Sequence, residues 1–298
     1  MILSKKIRII PSVEQEQQLW KSVGTARFKS RKKSRPSFYN DTSKLKVKTK
    51  KVLVEKVGWI KTTEQIPMNV KYTNPRVSFD GKYWYLSVGI EKEKPAVKLT
   101  DASMGIDVGI KELAICSNGM TFKNINKTKL VKKLEKRLRR LQRRVSRKYL
   151  KNKEGSKFVK TSNIIKLEKQ IRLLHRRLSN IRKNHLHQAT TKIVKTKPSK
   201  VVMETLNIKG MMKNKYLSKA IAKQGLYEFK RQLQYKCEFY GIQFVEADIW
   251  YPSSKICSVC GHKKTKLSLS ERTYICEECG AVIDRDFNAS INLSRYSA

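Results

Sequence analysis

The sequence is poor in acidic residues for its size. Only 24 of its 298 residues are Asp or Glu, against 67 Lys or Arg, so the formal net charge is +43 and the pI is about 10.2. A soluble chain this basic needs a polyanionic partner, and nucleic acid is the usual one. The charge alone leaves open a ribosomal-type protein or non-specific adhesion to polyanions.

The chain also lacks long apolar segments. No run approaches the roughly 20 apolar residues that a membrane helix needs. The first residues, M-I-L-S-K-K-I-R-I-I, have no apolar core of a signal peptide. We therefore expect a cytoplasmic, nucleoid-associated protein, and 298 residues are enough for two domains.

Cysteine is scarce, with six residues, but four of the six form two C-x-x-C pairs separated by fifteen residues. These four are Cys257, Cys260, Cys276 and Cys279. The spacing is typical of a zinc ribbon, in which four thiolates fill the coordination sphere of a structural zinc ion. Free thiols or two disulfides are the alternative. Cys116 and Cys237 lie among apolar residues and are predicted to be core residues.

The N-terminal third alternates between short regular elements and very basic stretches. We predict a strand at 5–10, a helix from Ser12, no regular structure over 27–51, and strands near 69–77 and 82–91. Short strands joined by hairpins favour a small β-barrel. Within it, we expect Tyr83, Trp84 and Tyr85 to pack in the barrel rather than stack on bases.

Residues 127–185 are the most basic segment, and they carry two sets of apolar residues at heptad spacing. This pattern predicts an antiparallel helical hairpin. Acids are too few to neutralise its outer faces, so we predict a phosphate-binding surface, with a merely solvated face as the alternative. The residues predicted to contact nucleic acid are Arg139, Arg140, Arg143, Arg144, Arg176 and Arg177. His185 and His187 fall in the helical pattern, where positions i and i+2 point apart, which argues against a two-histidine nuclease site.

Three acids stand at the ends of predicted elements. Asp107 lies in an apolar strand, Glu204 ends a strand that follows Pro198, and Asp286 opens a short last helix after Asp284. Three strands, a helix at roughly 217–240, a strand and a final helix are compatible with an α/β fold of the ribonuclease-H type. Three clustered carboxylates need cations between them, and two divalent ions, such as Mg²⁺, suit phosphodiester hydrolysis.

Four segments resemble the TnpB family of insertion-sequence proteins, which are related to compact type V CRISPR nucleases. They are G-I-D-V-G-I-K-E-L-A at 105–114, V-M-E-T-L-N-I-K-G-M at 202–211, Y-P-S-S-K-I-C-S-V-C-G at 251–261 and D-R-D-F-N-A-S-I-N-L at 284–293. The segments match the three RuvC motifs and the zinc ribbon of that family. I-R-I-I-P-S-V-E-Q-E and G-T-A-R-F, near the N-terminus, resemble the start of its wedge domain.

The resemblance implies a transposon-associated DNA endonuclease that a guide RNA directs to target DNA. It implies that Asp107, Glu204 and Asp286 are catalytic and bind two Mg²⁺ ions. Asp284 is the alternative to Asp286, which is preferred because it directly precedes the x-N-A-S element. The implied domains are a wedge-type β-barrel at 1–98 and a RuvC nuclease domain at 99–298. The second would contain the basic hairpin at 122–190 and the zinc ribbon at 251–283.

The chain departs from the family pattern after Gly24 to Phe28. In the family this segment leads into a helical recognition lobe, but here K-S-R-K-K-S-R-P-S-F follows almost directly. A missing lobe keeps two alternatives open: a nucleic-acid-binding regulator, and a RuvC nuclease that cuts single strands or processes RNA. A homodimer is one way in which the contacts of the missing lobe to nucleic acid could be replaced, since a second copy of the chain would supply them.

Overall fold

The computed structural model describes residues 1–30, 36–268 and 270–297. The segment after Phe28, at which the sequence predicts that a recognition lobe is missing, runs into 31–35, and those residues lie outside the described ones. The chain divides into two compact units, 1–93 with 141–176 and 94–140 with 177–298. In the parts of the chain described, no helix combines the length and the apolar character needed to cross a bilayer.

The elements follow in the order β1 (Ile2–Ile10), α1 (Val13–Ser30), β2 (Ser37–Tyr39), β3 (Lys46–Lys48), β4 (Lys51–Val54), β5 (Gly58–Thr62), β6 (Tyr72–Phe79), β7 (Trp84–Glu91), β8 (Thr100–Val108), β9 (Glu112–Cys116), β10 (Thr121–Lys123), a 3₁₀ turn (Ile125–Lys127), α2 (Lys129–Lys151), β11 (Lys153–Glu154), β12 (Lys157–Phe158), α3 (Ser162–Lys195), β13 (Pro198–Glu204), α4 (Ile208–Met211), α5 (Ser218–Gln224), α6 (Leu226–Tyr240), β14 (Gln243–Ala247), β15 (Thr273–Ile275), β16 (Val282–Asp284) and α7 (Arg285–Ser294).

The first unit contains a seven-stranded antiparallel sheet in the order β2-β6-β7-β1-β5-β4-β3. Alternate residues of β7 point into an apolar core, and Trp84 is buried there beside Trp20 and Phe79. Strands β2 and β3 and the start of β4 lie within 27–51, where no regular structure was predicted. Lysine alternates with valine in β3, and buried valines alternate with more exposed residues in β4, but the high charge of this segment concealed that period of two.

Tyr83 and Tyr85 depart from the packing role predicted for them. Because side chains alternate along a strand, Tyr83 and Tyr85 lie on the face of the sheet opposite to the face on which Trp84 is buried. The Arg8 guanidinium lies 3.4 Å from the centre of the Tyr83 ring, and the Arg176 guanidinium lies 5.0 Å from it. Only Trp84 of the three therefore belongs to the apolar core.

The second unit contains a five-stranded sheet in the order β10-β9-β8-β13-β14. Strands β8, β9 and β10 are antiparallel neighbours, whereas β8, β13 and β14 run parallel. The helix expected at 217–240 is two helices, because Gly225 adopts a left-handed conformation (φ 73°) that ends α5 before α6 begins. Helix α6 then connects β13 to its parallel neighbour β14.

Helices α2 and α3 occupy the segment predicted as a helical hairpin, and the antiparallel pair β11–β12 joins them. Most of their heptad residues are buried: Val131, Leu134, Leu138, Val145, Ile164, Leu167, Leu174 and Leu178. The residues of both helices are divided between the two units: 141–176 belongs to the first unit, and the rest of α2 and α3 belongs to the second.

Candidate active site and zinc site

Neighbouring parallel strands bring Asp107 and Glu204 together. Val202 pairs with Gly105 and Met203 with Ile106, so Glu204 follows in register beside Asp107. Both acids lie near the carboxyl ends of their strands, where the apolar residues before them are buried in the core. The sheet thus forces two carboxylates, 97 positions apart in the sequence, to the same edge.

Helix α7 brings in Asp286. The helix crosses β8 so closely at Gly105 that a Cβ atom there would lie 1.9 Å from the Ser290 carbonyl oxygen. Asp284 caps the helix, because its Oδ1 accepts hydrogen bonds from the backbone N–H groups of Asp286 and Phe287. Asp284, considered above as an alternative to Asp286, therefore has a structural role that the sequence did not reveal.

The electrostatics show that the three acids are close enough to repel one another. Burial, together with the charges of Glu204 and Asp286, raises the pKa of Asp107 well above its ordinary value. Burial and the charge of Asp286 raise the pKa of Glu204 to about 7. Two arginines form described ion pairs with Asp286: Arg285 Nη2 lies 3.0 Å from Oδ1, and Arg272 Nη1 lies 3.9 Å from Oδ2. Partly buried, mutually repelling oxygen ligands are a donor set that fits hard divalent cations.

The four paired cysteines form a tight cluster. Cys257 Sγ lies 3.7 Å from Cys279 Sγ, and Cys260 Sγ lies 3.5 Å from Cys276 Sγ. Among the residues described, only these cysteines form a group of three or more His, Cys, Asp or Glu side chains placed to hold one metal ion, and their sulfur atoms all lie within 4.8 Å of one another. Thiolates bound tetrahedrally at about 2.3 Å from one zinc ion are separated by about this distance. The four cysteines could therefore bind zinc.

Two features of the cysteine cluster favour metal binding. Gly261 and Gly280 follow the second cysteine of each pair and have positive φ angles of 80° and 68°, as the knuckle turns require. Hydrogen bonds from the backbone N–H groups of Cys279 and Glu278 lower the pKa of Cys276 to about 6. The lowered pKa favours the thiolate form of Cys276, which is the form that binds a metal.

Two buried asparagines, which the sequence reasoning missed, tie the cysteine cluster to α7. Asn288 Oδ1 accepts from Ser258 N at 2.8 Å, and its Nδ2 donates to the Ile256 carbonyl. Asn292 Nδ2 donates to the Ser253 and Ile256 carbonyls. The feature of the sequence that could have revealed them is their i, i+4 spacing, which places both side chains on one face of α7. The helix that carries Asp286 is thus anchored to the first cysteine knuckle.

The predicted nucleic-acid contacts fall into two groups. Arg139, Arg140, Arg143, Arg144 and Arg177 are exposed on α2 and α3. Arg176, in contrast, donates from Nε to Asp80 Oδ2 at 2.6 Å and from Nη2 to the Tyr85 hydroxyl. Its guanidinium is therefore bonded to two side chains of the first unit. His185 and His187 lie on α3, as the helical pattern predicted.

Comparison with known proteins places these features in context. Three family models match the chain: "Cas12f1-like, TNB domain" over 227–293, "Probable transposase" of the OrfB/IS605 type over 85–215, and "Helix-turn-helix domain" of the same type over 1–29. In this structure the last match folds as β1 followed by most of α1.

Two curated relatives are named "Putative RNA-guided DNA endonuclease". The Streptomyces pristinaespiralis protein is 34% identical over 90% of this chain and 64% of its own length. The Escherichia coli protein InsQ is 30% identical over 92% of this chain and 68% of its own length. The chain therefore spans about two thirds of the length of these relatives.

A solved structure, that of a CRISPR-Cas12f ternary complex, shares the fold. It superposes with a TM-score of 0.51 at 16% sequence identity and covers 94% of this chain and 72% of that chain. The similarity confirms an α/β fold related to the compact Cas12f proteins.

Proposed function

Because this chain belongs to the OrfB/IS605 family, the TnpB family of the resemblance described above, we propose that it is a transposon-associated, RNA-guided DNA endonuclease. The proposal is supported most by the convergence of Asp107, Glu204 and Asp286 from β8, β13 and α7. Acids that repel one another are costly to bury, and a chain keeps them where cations are to be bound. Phosphodiester hydrolysis uses such a site.

We infer that Asp107, Glu204 and Asp286 would hold two Mg²⁺ ions. Bound there, the ions would activate a water molecule and neutralise the charge that develops on the phosphate. The protein fixes the three carboxylates on rigid elements and shields them from solvent. Asp284 orients the first turn of α7, and Arg285 holds Asp286 through Oδ1.

The domain assignments belong to the same proposal. Residues 1–98 would be the wedge-type β-barrel domain, and residues 99–298 would be the RuvC nuclease domain, with a ribonuclease-H-like strand order, the basic hairpin at 122–190 and the zinc ribbon at 251–283. Zinc would hold the four cysteines and, through Asn288 and Asn292, stabilise the position of α7. The exposed arginines of α2 and α3 would bind the phosphates of guide RNA or target DNA.

The test is cleavage by single variants. Asp107→Ala, Glu204→Ala and Asp286→Ala should each abolish Mg²⁺-dependent cleavage of guide-matched DNA, while RNA binding stays nearly unchanged. Asp284→Ala should be milder, because it removes a helix cap worth about 1 kcal/mol. Asp101→Asn, an exposed acid on the same strand as Asp107, is the matched control. An inactive Asp284 variant beside an active Asp286 variant would reassign the third ligand.

A further inference from the structure

The turn that joins β8 to β9 begins two residues after Asp107. Among the described strand pairs, that of β8 with β13 ends at Ile106, so Asp107 is paired on one side alone, with Ile115 of β9. Gly109 closes the turn with a long hydrogen bond, 3.4 Å from its N–H to the Leu113 carbonyl. The position of Asp107 therefore depends on what else supports this turn.

A buried glutamine from a distant part of the chain supports it. Gln224, the last residue of α5, is 4% exposed. Its Nε2 donates to the Gly109 carbonyl at 3.0 Å and to the Glu112 carbonyl at 3.2 Å. Since the amide nitrogen of glutamine carries two N–H groups, this one side chain can bond the residue at which the turn begins and the residue at which β9 begins.

Two asparagines complete the cluster. Asn124, which is also buried, donates from Nδ2 to the Ile110 carbonyl at 2.7 Å. Asn126 donates from Nδ2 to Gln224 Oε1 at 3.3 Å, so it orients the glutamine amide with its N–H groups toward the turn. The carbonyls of residues 109, 110 and 112 thus all accept hydrogen bonds from this cluster.

The cluster is anchored to the two long helices, and all of its residues belong to the second unit. Arg182 of α3 donates from Nε to Asn126 Oδ1 and from Nη2 to Glu135 Oε1 of α2, each at 2.7 Å. Lys223, the neighbour of Gln224, donates to Glu135 Oε2 at 2.6 Å. The end of α5 that carries Gln224 is therefore bonded to both helices, which gives the turn a rigid support.

Buried carbonyls need donors anywhere in a protein, so a cluster of this kind can serve stability alone. Its place beside Asp107 argues for a further role. The charges of Glu204 and Asp286 repel the Asp107 carboxylate, and a strand end held on one side would yield to that repulsion. Support of the next turn opposes this movement.

We propose that Gln224 and Asn126 are positioning residues that hold Asp107 where it can share divalent cations with the other two acids. The proposal rests on the proposed nuclease function, since it concerns the same site. It goes beyond that function by assigning a role at the site to two uncharged residues that lie outside the sheet and outside α7.

The first experiment compares Gln224→Met, which keeps the length of the side chain but removes its N–H groups, with a matched control. The control is Gln232→Met, a change at a buried glutamine of α6 whose Oε1 accepts from Thr190 of α3. Hydrogen exchange is followed by mass spectrometry on the full-length, zinc-loaded proteins. Amides over 105–115 should exchange about tenfold faster in Gln224→Met, because two hydrogen bonds to this segment are lost. In Gln232→Met they should exchange at the parental rate.

Two further measurements connect the turn to the site. The first is the affinity for the Mn²⁺ that Asp107→Asn no longer binds, titrated by electron paramagnetic resonance, which should fall about tenfold in Gln224→Met, as is typical when a residue that orients a metal ligand is lost. On guide-matched, pre-opened DNA, kcat should fall by a similar factor while KM stays the same, because the substrate-binding surface is untouched. Asn126→Ala should give the same pattern, and the double variant should lose little more than Gln224→Met, because both residues act through one cluster.

Equally faster exchange over 105–115 in Gln224→Met and Gln232→Met would overturn the proposal, because it would indicate general destabilisation. Unchanged exchange, unchanged Mn²⁺ affinity, or a raised KM at constant kcat in Gln224→Met would overturn it as well. A parent protein that binds no Mn²⁺ and cuts no DNA would instead refute the proposed function, while the exchange rates would still decide whether Gln224 holds the turn.

Discussion

At the scale of single residues, the candidate site concentrates negative charge that Arg285 and Arg272 neutralise only in part. Folding raises the pKa of Glu204 to about 7, so the folded protein binds this proton more tightly than the unfolded chain does. The stabilisation that this proton provides is complete below the unfolded pKa of about 4.5 and is lost as the pH rises through about 7. Without divalent cations, the site therefore opposes folding at alkaline pH.

We expect Glu204→Gln to raise the Tm of the Mg²⁺-free, zinc-loaded protein at pH 8 by about 2–8 °C, while cleavage is lost. Near pH 4.5 the variant and the parent should have nearly the same Tm, because Glu204 is then protonated in the folded state and about half protonated in the unfolded chain. Calorimetry at the two pH values measures the difference. Glu238→Gln, the same change at an exposed position of α6, is the control. An equal shift at both pH values would contradict the charge argument.

Gly105 sets the distance between β8 and α7. Gly105→Ala should destabilise the second unit by at least about 1–3 kcal/mol and strongly reduce cleavage, since the new Cβ would overlap the α7 backbone at Ser290, Leu293 and Ser294. Gly109→Ala is the matched change, because a Cβ there would meet the Glu112 carbonyl at an ordinary 3.6 Å. Comparable losses of Tm in the two variants would show that close approach is not the reason for glycine at 105.

At the scale of elements, the sequence predicted what depends on local pattern. The strands of the second unit, the two heptad helices and the cysteine knuckles follow from periodicity and spacing, and Asp107 was noticed because charge interrupts an apolar strand. Asn288 and Asn292 were missed, because their roles depend on α7 lying against a segment from elsewhere in the chain. Gly225 was missed because one glycine does not reveal whether a helix ends or continues.

Zinc should act on α7 through those asparagine contacts. We expect one zinc ion per natively purified chain, and removing it should reduce cleavage while Asp107 and Glu204 stay in place. Asn292→Ala should reproduce part of that loss with zinc still bound, because it breaks two hydrogen bonds between α7 and the knuckle segment. Elemental analysis and cleavage rates together test this link. Full activity of zinc-free protein would refute it.

The exposed face of α2 should carry much of the affinity for RNA. Changing Arg139, Arg140, Arg143 and Arg144 to Gln should flatten the salt dependence of RNA binding by about one slope unit per lost phosphate contact. The helices should stay folded, since the heptad residues are untouched. Four exposed lysines elsewhere, Lys61, Lys71, Lys92 and Lys98, changed to Gln provide a control of equal charge. The same slope for both variants would mean that the α2 face is merely solvated.

At the scale of the whole molecule, the chain combines a net charge of +43 with about two thirds of the length of its relatives. The charge favours binding of any nucleic acid. Replacing a DNA duplex by a heteroduplex of guide RNA and target DNA changes the free energy little, however, so protein contacts to the nucleic-acid backbone determine whether the duplex opens. Loss of a recognition lobe should therefore affect duplex opening far more than RNA binding.

We expect the monomer to cleave relaxed duplex DNA slowly, and pre-opened or negatively supercoiled target faster, because the cost of opening is then lower. The measurement compares guided cleavage of relaxed and pre-bubbled duplexes of one sequence at equal protein concentration. Cleavage of a single DNA strand of the same length, without guide RNA, is the control for access of DNA to the candidate active site. Equal rates on both duplexes would show that these domains open DNA unaided.

The dispersal of the three acids along the chain has a consequence for its synthesis. A ribosome that adds about 5–20 residues per second needs roughly 10–35 s to pass from Asp107 to Asp286. During that time β8 and β13 can pair, but α7 does not yet exist to close over Gly105. A nascent chain therefore carries the basic helices α2 and α3 well before it carries all three acids. If the proposed function holds, guide RNA can bind during synthesis, and cleavage becomes possible only when the final helix has been made.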